Sequence, residues 1–203
     1  MDKDEIVLAM ALACQAGGAA AVRIEGVRRV QLVADALRIP VIGIVKRDLP
    51  DSLVRITPFT DDVIALAKAG ACIIAVDATT RRRPTPVQDL LSAITSNNAL
   101  AMADCATVGE GLTAHNLGFE FIGSTLSGYT ADTACSEDVP AAADMVTALS
   151  AAGCWVIAEG RIRSAADAAA ARRWGANAVT VGSALTRLEW MVNSYVTSMG
   201  MVE

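Results

Sequence analysis

Three stretches follow one another along the chain: Val41-Ile42-Gly43-Ile44-Val45-Lys46, Thr60-Asp61-Asp62-Val63-Ile64-Ala65-Leu66-Ala67-Lys68-Ala69-Gly70, and Cys72-Ile73-Ile74-Ala75-Val76-Asp77. The outer two are short, rich in β-branched residues and almost continuously apolar, as strands buried on both faces are. The middle one carries apolar residues at helical spacing and stops at a glycine, which readily takes the left-handed conformation of a helix C-terminus. Strand, helix and strand in that order make a parallel pair joined by a crossover helix.

The same unit recurs in both directions. Strands are predicted at 20–24, 41–46, 72–77, 100–104, 121–124, 155–159 and 178–181, with helical stretches at 5–16, 60–69, 86–96, 139–152 and 164–174. Repeated βα units imply a parallel sheet covered by helices, either closed as a (β/α)8 barrel or open and doubly wound. Polar residues stand where the strands finish: Arg23 and Glu25, Lys46, Asp77, Asp104, Ser124 and Thr125, Glu159, then Gly182 and Ser183. A barrel would bring all of these ends to one rim, whereas an open sheet would converge fewer. The reading is therefore a TIM (β/α)8 barrel with its first strand missing from this chain. The sequence opens directly into a helix, so that strand is expected upstream of Met1, and seven strands leave two edges to be covered.

At 203 residues, 53% of them hydrophobic, the chain is expected to form one domain over 1–203. Mean hydropathy is +0.42, yet no apolar run approaches the ~18 residues of a membrane span. With 17 Lys and Arg against 22 Asp and Glu, net charge −5, there is no basic field for nucleic acid. The acidic start Met1-Asp2-Lys3-Asp4-Glu5 is no signal peptide, which predicts a cytoplasmic chain with reduced thiols. The five cysteines are far apart and never CxxC, and His115 is the sole histidine, expected on a helix surface. Neither a zinc site nor a disulfide framework is expected.

With no histidine at a strand end, acid–base work falls to other residues. Lys46 ends an apolar strand, and partial burial in a barrel mouth suits a lysine to general-base work, against the bland alternative of a side chain snorkelling into solvent. Glu159 carries a charge at the end of Trp155-Val156-Ile157-Ala158. It is either catalytic or paired with Lys46 or Arg23 to fasten the rim. Asp104 divides evenly between a site role and a helix N-cap, and Asp77 reads as a loop brace. A lysine and carboxylates around one mouth suit proton abstraction next to a carbonyl. Gly160-Arg161 and Gly182-Ser183-Ala184, with Arg187 one turn on, suggest a phosphate site at the last two strand ends. Arg81-Arg82-Arg83 reads as a solvated loop that could steer an anionic substrate.

Several stretches together resemble the N-acylmannosamine-6-phosphate 2-epimerases: Val22-Arg23-Ile24-Glu25-Gly26, Ile42-Gly43-Ile44-Val45-Lys46-Arg47-Asp48, Val54-Arg55-Ile56-Thr57-Pro58, Ser124-Thr125-Leu126-Ser127-Gly128-Tyr129-Thr130, Ile157-Ala158-Glu159-Gly160-Arg161 and Val181-Gly182-Ser183-Ala184-Leu185-Thr186-Arg187. The resemblance implies a barrel enzyme of sialic acid breakdown. It would interconvert N-acetylmannosamine 6-phosphate and N-acetylglucosamine 6-phosphate at C2, without metal or nucleotide cofactor. Lys46 and Glu159 would be its acid–base residues. Arg23, Asp104 and Arg187 would contact sugar or phosphate, and the amides of Gly160, Gly182 and Ser183 would hold the phosphate. It also implies a homodimer through the last helix, residues 184–198, with Leu188, Trp190, Met191 and Val196 exposed for the purpose. The family's substrate-contacting glutamine at the end of the first strand has no counterpart here, since Gln15 lies in the first helix.

Two other readings compete: an isomerase or aldolase in which Lys46 forms a Schiff base, and a phosphosugar-binding or regulatory remnant lacking catalysis.

Overall fold

The computed structural model describes residues 2–134 and 142–200. Helix α1 (Asp4–Ala16) comes first and is followed by β1 (Val22–Glu25), α2 (Val27–Ala36), β2 (Val41–Ile44), α3 (Thr60–Lys68), β3 (Ile73–Asp77), α4 (Val87–Ser96) and β4 (Leu100–Asp104). Then come α5 (Val108–Leu117), β5 (Phe121–Gly123), α6 (Ala143–Ala151), β6 (Val156–Glu159), α7 (Ala165–Arg173), β7 (Ala178–Thr180), α8 (Ser183–Thr186) and α9 (Leu188–Ser198). The seven strands pair in parallel in sequence order, β1 to β7. Among the described residues β1 and β7 are the two ends of the ladder, so the barrel is nearly closed and lacks one stave. Register aligns the C-terminal ends: Asp77 lies opposite Asp104, and Glu159 opposite Thr180.

Period-two alternation sorts the side chains. Val22, Ile24, Val41, Ile74, Val76, Ala101, Ala103, Ile122, Val156 and Ala158 point outward into the shell between strands and helices, with Leu66, Leu90, Ile94 and Leu149 fully buried there. Burying each such leucine or isoleucine contributes about 1.5–3 kcal/mol. Ile42, Ile44, Ile73, Ala75, Met102 and Ile157 point inward and fill the lumen with Ile56. Gly43 is on the outward face; a Cβ there would sit 2.8 Å from the Ala71 Cβ and 3.1 Å from Leu66, so glycine is what lets α3 lie close on β2. Extending the inward series of each strand to its end reaches Arg23, Lys46, Asp77, Asp104, Thr125 and Glu159.

Two helices begin at capping boxes: the Thr107 hydroxyl accepts from Glu110 N–H, and the Ser164 hydroxyl from Asp167 N–H. Asp104 is therefore not the cap of α5. Of the helix predicted over 139–152, the described part begins at Ala143; residues 139–141 lie outside the described residues, as does Cys135. The predicted final helix is broken. Arg187 (φ −111°, ψ 84°) separates α8 from α9. Cys14, Cys72, Cys105 and Cys154 are free thiols, His115 is exposed on α5, and among the described residues no helix is long and apolar enough to cross a membrane.

Candidate active site

Arg23 enters the lumen from β1 and reaches across to strands that are not its neighbours. Its Nη1 and Nη2 donate to Asp104 Oδ1 at 3.0 Å and Oδ2 at 2.6 Å, a bidentate pair. Nη1 also lies 3.3 Å from Glu159 Oε2. Asp104 is fully buried and Arg23 is 9% exposed, so one guanidinium ties β1, β4 and β6 together in a place of low dielectric. Asp104 Oδ1 takes a further hydrogen bond from the Thr125 hydroxyl at 2.6 Å.

Glu159 is fixed through its main chain. Its N–H donates to Ser124 Oγ at 3.0 Å, and the same hydroxyl donates back to Glu159 C=O at 2.9 Å. Its side chain is less satisfied, because the buried Oε2 accepts no hydrogen bond. Burial pushes the Glu159 carboxyl above its ordinary value of 4.5; Arg23 opposes the rise, Asp104 adds to it, and the Thr125 hydroxyl and Lys46 ammonium oppose it without cancelling it. A carboxyl so placed can hold or release a proton closer to neutrality than a free one.

Lys46 stands beyond the last ladder residue of β2, and a return segment that sequence reasoning missed holds it there. Residues 54–57 double back between β2 and β3. Ile56 pairs antiparallel with Lys46, Arg47 N–H donates to Arg55 C=O at 2.9 Å, Thr57 N–H to Val45 C=O at 2.7 Å, and Asp77 N–H to Ile56 C=O at 3.1 Å. Thr57 is wholly buried at φ 45°, an uncommon backbone for a β-branched residue, and its hydroxyl accepts from Val45 N–H at 3.2 Å. The next side chain, Arg47, turns the other way to grip Asp62 in the first turn of α3 at 2.9 and 3.0 Å through Nε. The expected partial burial of Lys46 is not found: the side chain is exposed, because the return segment splays the end of β2 away from β3.

The arginine loop is also corrected. Arg81 and Arg83 are not solvated but close on buried Asp77, at 2.5 and 3.2 Å, and Arg83 also donates to Asp77 and Thr79 carbonyls. Their charges are committed to bracing the loop, the role read for Asp77. Glu110, which sequence reasoning missed although its Thr-x-x-Glu spacing was the signal that could have found it, accepts from Thr80, Ala106 and Thr107 N–H groups and pins that loop to α5.

Gly160 (φ 97°) and Arg161 (φ 55°) turn the chain sharply after β6. Arg161 Nη1 donates to Ser127 C=O at 2.9 Å, and its guanidinium lies 5.4 Å from the Tyr129 ring centre. Gly182 precedes α8, and a Cβ there would meet nothing within 4 Å; the first N–H groups of a helix have no partner inside it. Arg187 is not in the cluster. It is exposed and pairs with Glu189 at 3.2 Å. Two clefts of about 290 and 380 Å³ flank the arginine loop and are lined by none of Arg23, Lys46, Asp104 or Glu159. Among the described residues no group of three or more His, Cys, Asp and Glu could hold a metal ion.

A family model described as "Putative N-acetylmannosamine-6-phosphate epimerase" matches residues 7–201. The "Putative N-acetylmannosamine-6-phosphate 2-epimerase" of Salmonella agona is 56% identical over 196 residues, 96% of this chain and 84% of its own. That of Escherichia fergusonii is 55% identical over 201 residues, 98% of this chain and 86% of its own. The solved structure of the N-acetylmannosamine-6-phosphate 2-epimerase from Clostridium perfringens superimposes with a TM-score of 0.93 at 36% identity, covering 97% of this chain and 86% of that one.

Proposed function

The chain belongs to the N-acetylmannosamine-6-phosphate epimerase family, and from that premise we propose that it is an isomerase interconverting N-acetylmannosamine 6-phosphate and N-acetylglucosamine 6-phosphate in the cytoplasmic breakdown of sialic acids. The observation that carries the reading is the Arg23–Asp104–Glu159 cluster on the inner face of one rim, with the Lys46 ammonium near enough to act on Glu159. The two sugars differ only at C2, which lies next to the C1 carbonyl of the open chain. Removing the C2 proton gives an enolate, and returning a proton to the opposite face inverts the centre. One group must take a proton while another gives one. Lys46 and Glu159 fill those roles. The raised affinity of Glu159 for its proton, caused first by its burial, supports a role for it as a proton carrier.

Asp104, paired with Arg23 at 2.6 Å, would accept a hydrogen bond from a sugar hydroxyl. The amides of Gly160, Gly182 and Ser183 would cradle the phosphate. Arg187 would leave Glu189 for it, since water screens so exposed a pair and holds it only weakly. The test is proton NMR of the chain with N-acetylmannosamine 6-phosphate in deuterated water. Product carrying deuterium at C2 is expected. Product formed without deuterium, or substrate trapped on Lys46 by borohydride, would transfer the assignment to the Schiff-base reading.

A homodimer through the last helix belongs to the same proposal, on a revised set of residues. No residue of α8 or α9 is buried. Trp190, Met191 and Val196 are half-buried, while Leu188, Val192, Tyr195 and Met199 are 53–65% exposed at spacings of four, three and four. Such an apolar stripe suits a partner helix. Light scattering should give twice the 21.0 kDa chain mass, and Val192→Asp with Tyr195→Asp should give the monomer; an unchanged mass in the double variant would remove α9 from the interface.

A further inference from the structure

The inward series of β5 runs through Phe121 and Gly123 to Thr125. At Gly123 a Cβ would lie 2.8 Å from Thr125 Oγ1, 3.2 Å from Asp104 Oδ1 and 2.7 Å from Met102, so the lumen keeps that space free and the Thr125 hydroxyl settles against the charged cluster. It donates to Asp104 Oδ1 at 2.6 Å and also acts on Glu159, whose buried Oε2 has Arg23 Nη1 at 3.3 Å but accepts no hydrogen bond.

The groups facing Glu159 from the surrounding strands are Arg23, Lys46 and Asp104, and on its own segment Arg161 turns away to Ser127 and Tyr129. A guanidinium such as Arg23 and an ammonium such as Lys46 can only donate hydrogen bonds, and both Asp104 oxygens already accept them. The Ser124 hydroxyl is committed to the Glu159 main chain. Thr125 has one proton and two lone pairs, so it can do both. Beside a protonated Glu159 it can accept the carboxyl proton's hydrogen bond while donating to Asp104. Beside an ionised Glu159 it can rotate to donate to the new charge, and Asp104 keeps its two bonds from Arg23. Resting on the epimerase reading, we infer that Thr125 is a positioning residue for the proton transfers, a hydroxyl that serves Glu159 in both of its charge states.

The test is the pH profile of kcat and KM for wild type, Thr125→Val and Thr125→Ser with N-acetylmannosamine 6-phosphate, alongside thermal melting. Valine is expected to preserve melting and KM, to lower kcat about 10-fold, and to move the limb governed by Glu159 upward, because of the two hydrogen bonds lost the one to the charged form is the stronger. Serine should restore kcat and the limb. If Thr125→Val unfolds early, Thr125→Ala takes its place and is judged on the same limb. A valine or alanine profile superimposing on wild type, or a serine variant as impaired as the valine one, would overturn the inference. Absence of turnover in wild type would instead overturn the epimerase reading, and the role of Thr125 with it.

Discussion

Glu159→Gln is expected to lower kcat for epimerisation by about 10²–10⁴-fold, the contribution of one proton-transfer group, with KM little changed. The amide keeps the shape of the carboxyl, but it cannot take up or give a proton. Because Lys46 remains, one of the two epimers should still exchange its C2 proton with deuterated solvent without inverting. Equal loss of exchange from both epimers, or an unchanged rate, would remove Glu159 from the pair. Stability should move the other way. The folded-state affinity of Glu159 for its proton is raised, so the stability it contributes is fully present below the unfolded value and is lost as pH rises through the folded one. Glutamine has no such loss, and the variant should melt no lower than wild type at pH 8.

Arg23→Met is the second large effect, and it falls on stability. The substitution keeps the apolar stem and removes the cation that faces buried Asp104 and half-buried Glu159. Breaking a buried pair by deleting one partner costs about 3–5 kcal/mol, which for a chain of this size lowers Tm by roughly 6–20 °C. Glu159 then binds its proton still more tightly in the folded state, because Arg23 is a charge that opposes its rise. The deficit should accordingly be larger at pH 8 than at pH 5, where protonation discharges the cluster. An equal loss at both pH values would mean that Arg23 acts by packing alone.

The strands were legible because the apolar runs of β2 to β6 are buried largely on both faces and the runs are bounded by glycine or a charge; their predicted ends lie within two residues of those found. Lys46, Asp104 and Glu159 were legible as charges closing apolar strands, and Arg23 as a polar residue at a strand end. Less was readable where a partner far along the chain decides the outcome. Whether Glu159 would meet Lys46 or Arg23 was open in the sequence, and Arg23 is the partner because β1 faces β6 across the lumen. The exposure of Lys46 follows from the backbone bonds of 54–57 to 45–47 and Asp77, for which those residues carry no periodic signal. Arg81 and Arg83 look like a solvated run until Asp77 is found beneath them.

By itself the sequence determined the βα repeat, the direction of the strands, the rim on which the charges gather and, through several motifs taken together, the family. Those are properties of short windows, set by side-chain alternation and by where glycine permits a turn. Only the tertiary structure decided that Arg23, Asp104 and Glu159 share one ion-pair cluster, that Thr125 lies within it, and that Arg187 breaks the last helix and stands outside it. Such pairings join residues as far apart in the chain as Arg23 and Glu159 on strands that are not neighbours in the sheet, and they arise only when curvature of the sheet brings inward-facing side chains across a shared lumen.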